Sequence, residues 1–165
     1  VGIAGICIKK GDAMIIGPFK GNQFVNAKIR SIHNDYRQSV DALAINSKGC
    51  LCLKIDDKYK PYLRTGRIVS HSLIDINSTK KFQAYVAIFC GKSSNIKAGF
   101  NSYINIGIVR SGVILHTLHN PDTNEIIENM IPASKILVDM EFMTHYNCIN
   151  IGDKFLFISG RNQGI

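Results

Sequence analysis

The chain has 165 residues, 45% of them hydrophobic and 19% charged, with a formal net charge of +8 and a pI of about 9.3. That much apolar material argues against intrinsic disorder and suffices for one mid-sized domain or two small ones. The positive excess points to polyanions, nucleic acid ahead of anionic membrane, and no apolar run reaches the roughly 18 residues of a membrane-spanning helix.

Val1 is not an initiator Met and opens inside strand-like sequence, and residues 155–158 and 164–165 close the chain in the same way. A piece cut from a longer protein is therefore expected. From there on the dominant period is two. In residues 81–89, Phe82, Ala84, Val86 and Ile88 alternate with Lys81, Gln83 and Tyr85. In residues 103–109, Ile104, Ile106 and Ile108 alternate with Asn105 and Gly107. In Lys135–Phe142, Ile136, Val138, Met140 and Phe142 alternate with Lys135, Asp139 and Glu141. Each pattern predicts an antiparallel strand with one buried face. Lys10-Gly11-Asp12, Gly17-Pro18-Phe19-Lys20-Gly21, Ser47-Lys48-Gly49, Asn120-Pro121-Asp122 and Ile151-Gly152-Asp153 supply turns between them. Helix is confined to a turn or two near residues 57–63. The spacing predicts an all-β protein, two antiparallel β-barrels in tandem over residues 1–72 and 80–165 with a polar linker at 73–79. A single larger sandwich is the competing architecture.

The five cysteines, Cys7, Cys50, Cys52, Cys90 and Cys148, are odd in number and scattered, and no secretory leader precedes them. Reduced thiols in a cytoplasmic protein are expected, most of them small core residues, with Cys50 and Cys52 facing one side of a strand. A phosphate loop is missing: Gly91-Lys92-Ser93 carries only the tail of one. No strained nucleophile elbow accompanies His33, His71, His116, His119 or His145. Asp56-Asp57 and the Glu125/Glu128 pair lie in polar, loop-like sequence and read as solvated charges. His116-x-x-His119 and His145-x-x-Cys148 carry zinc-ligand residue types, but in no zinc signature, and a surface histidine cluster is the expectation. No catalytic or metal-binding residue is assigned. The basic residues Lys9, Lys10, Lys28, Arg30, His33 and Arg37 crowd the first 40 positions, where phosphate contacts would be salt-sensitive. Tyr36, Tyr59, Tyr62, Tyr85, Tyr103 and Tyr146 are available for base stacking.

The ordered run of turns and strands resembles a known family. Val-Gly-Ile-Ala-Gly-Ile-Cys-Ile-Lys-Lys-Gly-Asp-Ala-Met-Ile-Ile-Gly-Pro at the start is similar to the opening of the second domain of translational GTPases of the elongation factor Tu superfamily. Its continuation through Phe19-Lys20-Gly21-Asn22-Gln23-Phe24 to Ile29-Arg30-Ser31-Ile32-His33 most resembles the eukaryotic GTP-binding protein 1 and 2 family. Leu63-Arg64-Thr65-Gly66-Arg67-Ile68-Val69 resembles that domain's exit. Phe82-Gln83-Ala84-Tyr85-Val86-Ala87-Ile88 and the closing Lys154-to-Ile165 segment resemble the ends of the third domain.

The resemblance implies the RNA- and ribosome-facing half of a translation-type GTPase. The partners it implies are tRNA or the ribosome, with no membrane. GTP and Mg belong to a GTPase domain in cis, absent from this chain, so this half has no cofactor and no enzyme activity of its own. By the same resemblance, contacts to a tRNA stem fall at Lys92, Tyr103, Arg110, Ser111 and Arg161, and the position that carries Asn in the elongation factor falls near Gly49. A β-barrel module that docks a partner protein without RNA is the alternative function.

Overall fold

The computed structural model describes residues 7–72, 76–90, 96–130, 134–159 and 162–164. Every strand pairing in it is antiparallel, and the protein is all-β. It divides into two compact units, one of Val1–Phe19 and Gln23–Ile76, the other of Lys20–Asn22 and Asn77–Ile165.

The first unit holds β1 (Ile8–Lys9), β2 (Ala13–Gly17), β3 (Val25–Asn34), β4 (Ser39–Val40), β5 (Ala42–Leu43), β6 (Gly49–Lys54) and β7 (Ile68–Ser70). β3 is its spine: β6 runs along one side, and β2 and then β4 along the other. β7 extends the sheet beyond β2, and β1 pairs with β5 as a separate ribbon. Ile8, Met14, Ile29, Ile32 and Leu43 pack as one apolar cluster, and Ile16, Phe19, Ala27 and Ile55 as another. One short 3-10 segment, Asp57–Tyr62, lies where helix was expected; Asp56 caps it by accepting from the Lys58 N–H.

The second unit holds β8 (Ser78–Thr79), β9 (Lys81–Cys90), β10 (Asn101–Ile106), β11 (Val109–His119), β12 (Lys135–Phe142), β13 (Asn147–Cys148), β14 (Leu156–Ser159) and β15 (Asn162–Gly164). Six of these close a barrel in the order β10-β11-β12-β9-β15-β14, and β8 pairs with β13 outside it. Closure removes both sheet edges. Ile104, Val113, Leu115, Leu118, Val138, Phe142 and Phe157 fill the interior. Among the described residues, hydrogen bonding closes a ring in this unit alone.

Three expectations need correction. Ile108 does not continue the Ile104–Ile106 face. Ile106 pairs with Val109, so Gly107 (φ +51°) and Ile108 form a two-residue hairpin turn that leaves Ile108 exposed. The stretch 73–79 is not all linker, because Ser78–Thr79 pairs with Asn147–Cys148; two polar residues can add a strand without any apolar alternation, and residues 73–75 lie outside the described ones. Cys7, Cys50, Cys52 and Cys148 are not core residues. Cys7, Cys50 and Cys52 are exposed and Cys148 is half-buried, because the alternation in β6 turns Leu51 and Leu53 toward the apolar cluster instead.

Candidate nucleic-acid interface

Charge is divided unevenly between the units. The first unit has eleven Lys and Arg against six Asp and no Glu, a net of +5; the second, which includes Lys20, has nine against six, a net of +3. The positive excess is larger in the first unit.

Its sheet presents those cations. On β3, Lys28 and Arg30 are exposed, and Lys28 stands directly opposite the exposed Lys54 of β6. Like charges in that register repel one another. Arg30 is the extra residue of a bulge, since the pairing with β6 skips from Ile29 to Ser31. The bulge re-phases the strand so that Ile29 and Ile32 are both buried while Arg30 stays in solvent. Lys9 ends β1 and Lys10 opens the turn beside this point, which the Gly11 N–H to Ile29 carbonyl bond (2.9 Å) and the Ile29 N–H to Asp12 carbonyl bond (3.0 Å) hold against β3. Asp12 is already engaged: its carboxylate accepts the Lys9 N–H at 2.8 Å and contacts His71 Nε2 at 3.3 Å. The Lys9 N–H does most to hold the Asp12 carboxyl below the usual carboxylate range. Among the described residues, Lys9, Lys10, Lys28, Arg30 and Lys54 have no side-chain ion pair.

β3 ends in a hairpin tip. Half-buried His33 faces Ser39 on one side and Cys50 on the other. Beyond it, Asn34 and Gln38 join through backbone and amide hydrogen bonds. That closure displays Tyr36 (80% exposed) beside the exposed Arg37, itself at φ +63°. An aromatic face next to a cation suits a base and its phosphate.

In the second unit, Tyr103 is 61% exposed and faces Gly112, one step from the exposed Arg110, which faces Asn105. Ser111 is placed apart from them, opposite the buried Ile104, on the inward phase of β11. Lys92 and Arg161 lie outside the described residues.

The histidines do not assemble a metal centre among the described residues. His116 Nε2 is bound to Glu141 at 3.0 Å and His119 Nε2 to Asp139 at 2.8 Å. A phosphate cradle needs a strand running into an α-helix, and the described helical segments, Lys20–Asn22 and Asp57–Tyr62, are both short and 3-10; Gly91-Lys92-Ser93 lies outside the described residues.

Sequence reasoning overlooked Lys54. The run Cys50-Leu51-Cys52-Leu53-Lys54 contains the signal, since strict alternation places Lys54 on the outward side with both cysteines.

No family model matches the chain. It is similar to GTP-binding protein 2 of Mus musculus and of Homo sapiens, 24% identical to each over 162 residues, covering 98% of this chain and 25% of the relative. The chain thus spans about a quarter of the length of the curated relatives it matches. Among solved structures it is similar to Sup35 complexed with GMPPNP, with a TM-score of 0.74 and 18% identity over 96% of this chain and 40% of that one. Sup35 complexed with GDP gives 0.73. The family resemblance carried by turns and strands holds across nearly the whole chain, and the likeness to Sup35 extends it to the fold.

Proposed function

We propose that this chain is the RNA- and ribosome-facing β half of a translation-type GTP-binding protein, and that it holds tRNA or ribosomal RNA by its sugar-phosphate backbone. One observation carries the reading: five exposed cations, Lys28 and Arg30 of β3, Lys54 of the adjoining β6, and Lys9 and Lys10 at the end of β1 and its turn, gather in one unit of net charge +5, in no side-chain ion pair among the described residues. Hydrolysis belongs to a GTPase domain in cis, which would bring its own GTP and Mg, and the protein acts in the cytoplasm. Tyr36 and Arg37 at the hairpin tip, and Tyr103 with Arg110 on the barrel, serve as further contacts.

The test is binding of a structured RNA followed by fluorescence anisotropy across a salt series. Affinity should fall steeply and linearly in log–log form, with a slope of roughly −0.9 for each phosphate neutralised on duplex-like RNA. GTP added to the chain alone should release no phosphate. Weak binding that ignores salt would favour protein docking instead, and mutation-sensitive GTP turnover would sink the assignment.

A further inference from the structure

β6 turns Cys50, Cys52 and Lys54 to solvent. Across β3, Cys50 faces His33, Cys52 faces Ser31 and Lys54 faces Lys28, with the bulged Arg30 between the last two rows. Two exposed thiols on one strand are unusual for a residue type that normally hides. The charged side chains in these rows of β3 and β6 are all cations: Lys28, Arg30 and Lys54, none ion-paired among the described residues.

We infer that Cys50 and Cys52 form a thiol–disulfide exchange site for small anionic disulfides, with oxidised glutathione as the representative, drawn there by Lys28, Arg30 and Lys54. The step balances without a further reagent. A cysteine gives up its proton, and its Sγ attacks one sulfur of the disulfide. A new S–S bond to the protein forms as the original S–S bond breaks, and the departing thiolate takes up the proton. The protein sulfur is oxidised and the leaving sulfur reduced. A patch of one sign raises the local concentration of the opposite ion, an effect that salt removes.

The geometry also fixes the product. Residues i and i+2 of a strand are separated by about 6.6 Å along it, whereas a disulfide holds its Cβ atoms about 3.5–4.5 Å apart. Cys50 and Cys52 therefore cannot close on each other while β6 stays in register. Each mixed disulfide persists until an external thiol removes it.

The experiment treats the folded chain with oxidised glutathione, the neutral 2-hydroxyethyl disulfide and the cationic cystamine, each at low and high salt, and maps adducts by peptide mass spectrometry. Taking each reagent's low-salt to high-salt rate ratio cancels its intrinsic reactivity. Adducts should appear at Cys50 and Cys52 before Cys148. The ratio should exceed one for glutathione, stay near one for the neutral reagent and fall below one for cystamine. Lys54→Glu, which converts a like-charge pair into an opposite-charge pair, should slow the glutathione reaction roughly three-fold or more at low salt relative to the neutral reagent, whose rate carries any change in thiolate fraction. The inference is overturned if cystamine gains from low salt as glutathione does, if Cys148 reacts first, or if the two thiols lose two hydrogens together with no adduct. RNA enters none of these readouts, so their failure leaves the proposed function untouched.

Discussion

A methyl group at position 49 would meet the His33 carbonyl oxygen at 2.5 Å and the Leu43 Cδ1 atom at 2.6 Å. One of these is backbone and the other belongs to a buried side chain, so neither can step aside cheaply. Gly49 begins β6 opposite Asn34, and close approach of β3 and β5 there depends on its having no side chain. Gly49→Ala should cost about 1–3 kcal/mol, the usual range for overpacking, read as a lowered midpoint in urea unfolding; an unchanged midpoint would show that the strands spread freely. The consequence reaches function. The family resemblance places a polar pocket residue of the elongation factor at this point, and here the position admits no side chain at all. On the proposed function, Gly49 itself leaves no room for the polar side chain that the elongation factor carries near this point.

Along β11, β12 and β9, two polar rungs cross the outer face of the barrel. Lys80 donates to Glu141 at 2.6 Å and His116 contacts the other carboxylate oxygen, while Gln83 donates to Asp139 at 2.9 Å opposite His119. The hydrogen bond from Lys80, then that from His116, holds the Glu141 carboxyl below the usual glutamate range. Burial works to raise Asp139, but His119 and Gln83 outweigh it and the net direction is down. A folded-state pKa that is depressed contributes stability present above the unfolded value and lost as pH falls through the folded one. Acidification from just below the ordinary carboxylate range should thus loosen the rungs. Glu141→Gln should be less stable than the parent at neutral pH and should lose less on acidification, so the two unfolding midpoints converge as the pH falls below the ordinary glutamate range. Parallel pH profiles would remove Glu141 from the acid response. At this scale the sequence was uneven as a guide. β12 was legible residue for residue, because Ile136, Val138, Met140 and Phe142 all point inward and nothing interrupts their period. β3 was not, because a bulge at Arg30 spends one residue and reverses the phase that a period of two depends on. β8 escaped because Ser78 and Thr79 pair by backbone alone. The basic character of residues 9–37 was plain in the sequence. That Lys54 joins it required knowing that β6 lies beside β3, a long-range pairing that no local pattern encodes.

Over the whole molecule the positive charge is unevenly placed. The first unit carries +5 and the second +3, and a polyanion responds to local charge more than to the total, since interactions beyond a Debye length of about 8–10 Å are screened. Two surfaces compete for the role: the Lys28–Lys54 rows of the first unit, and the Tyr103–Arg110 corner of the barrel. Reversing charge on each separates them. Lys28→Glu with Lys54→Glu, both exposed and in no ion pair among the described residues, should lower RNA affinity across unrelated sequences and flatten the salt slope by about two, one for each lost phosphate contact. Arg110→Glu should flatten it by about one at most. Sequence preference should be unmoved in both, because phosphate contacts position a nucleic acid without reading its bases. Tyr36→Ala provides the complementary measurement: loss of a stacking face should cost about 1–3 kcal/mol for single-stranded RNA while the salt slope stays as it was. If Arg110→Glu proves as damaging as the double reversal, the barrel is the principal RNA surface and the +5 of the first unit serves another anion.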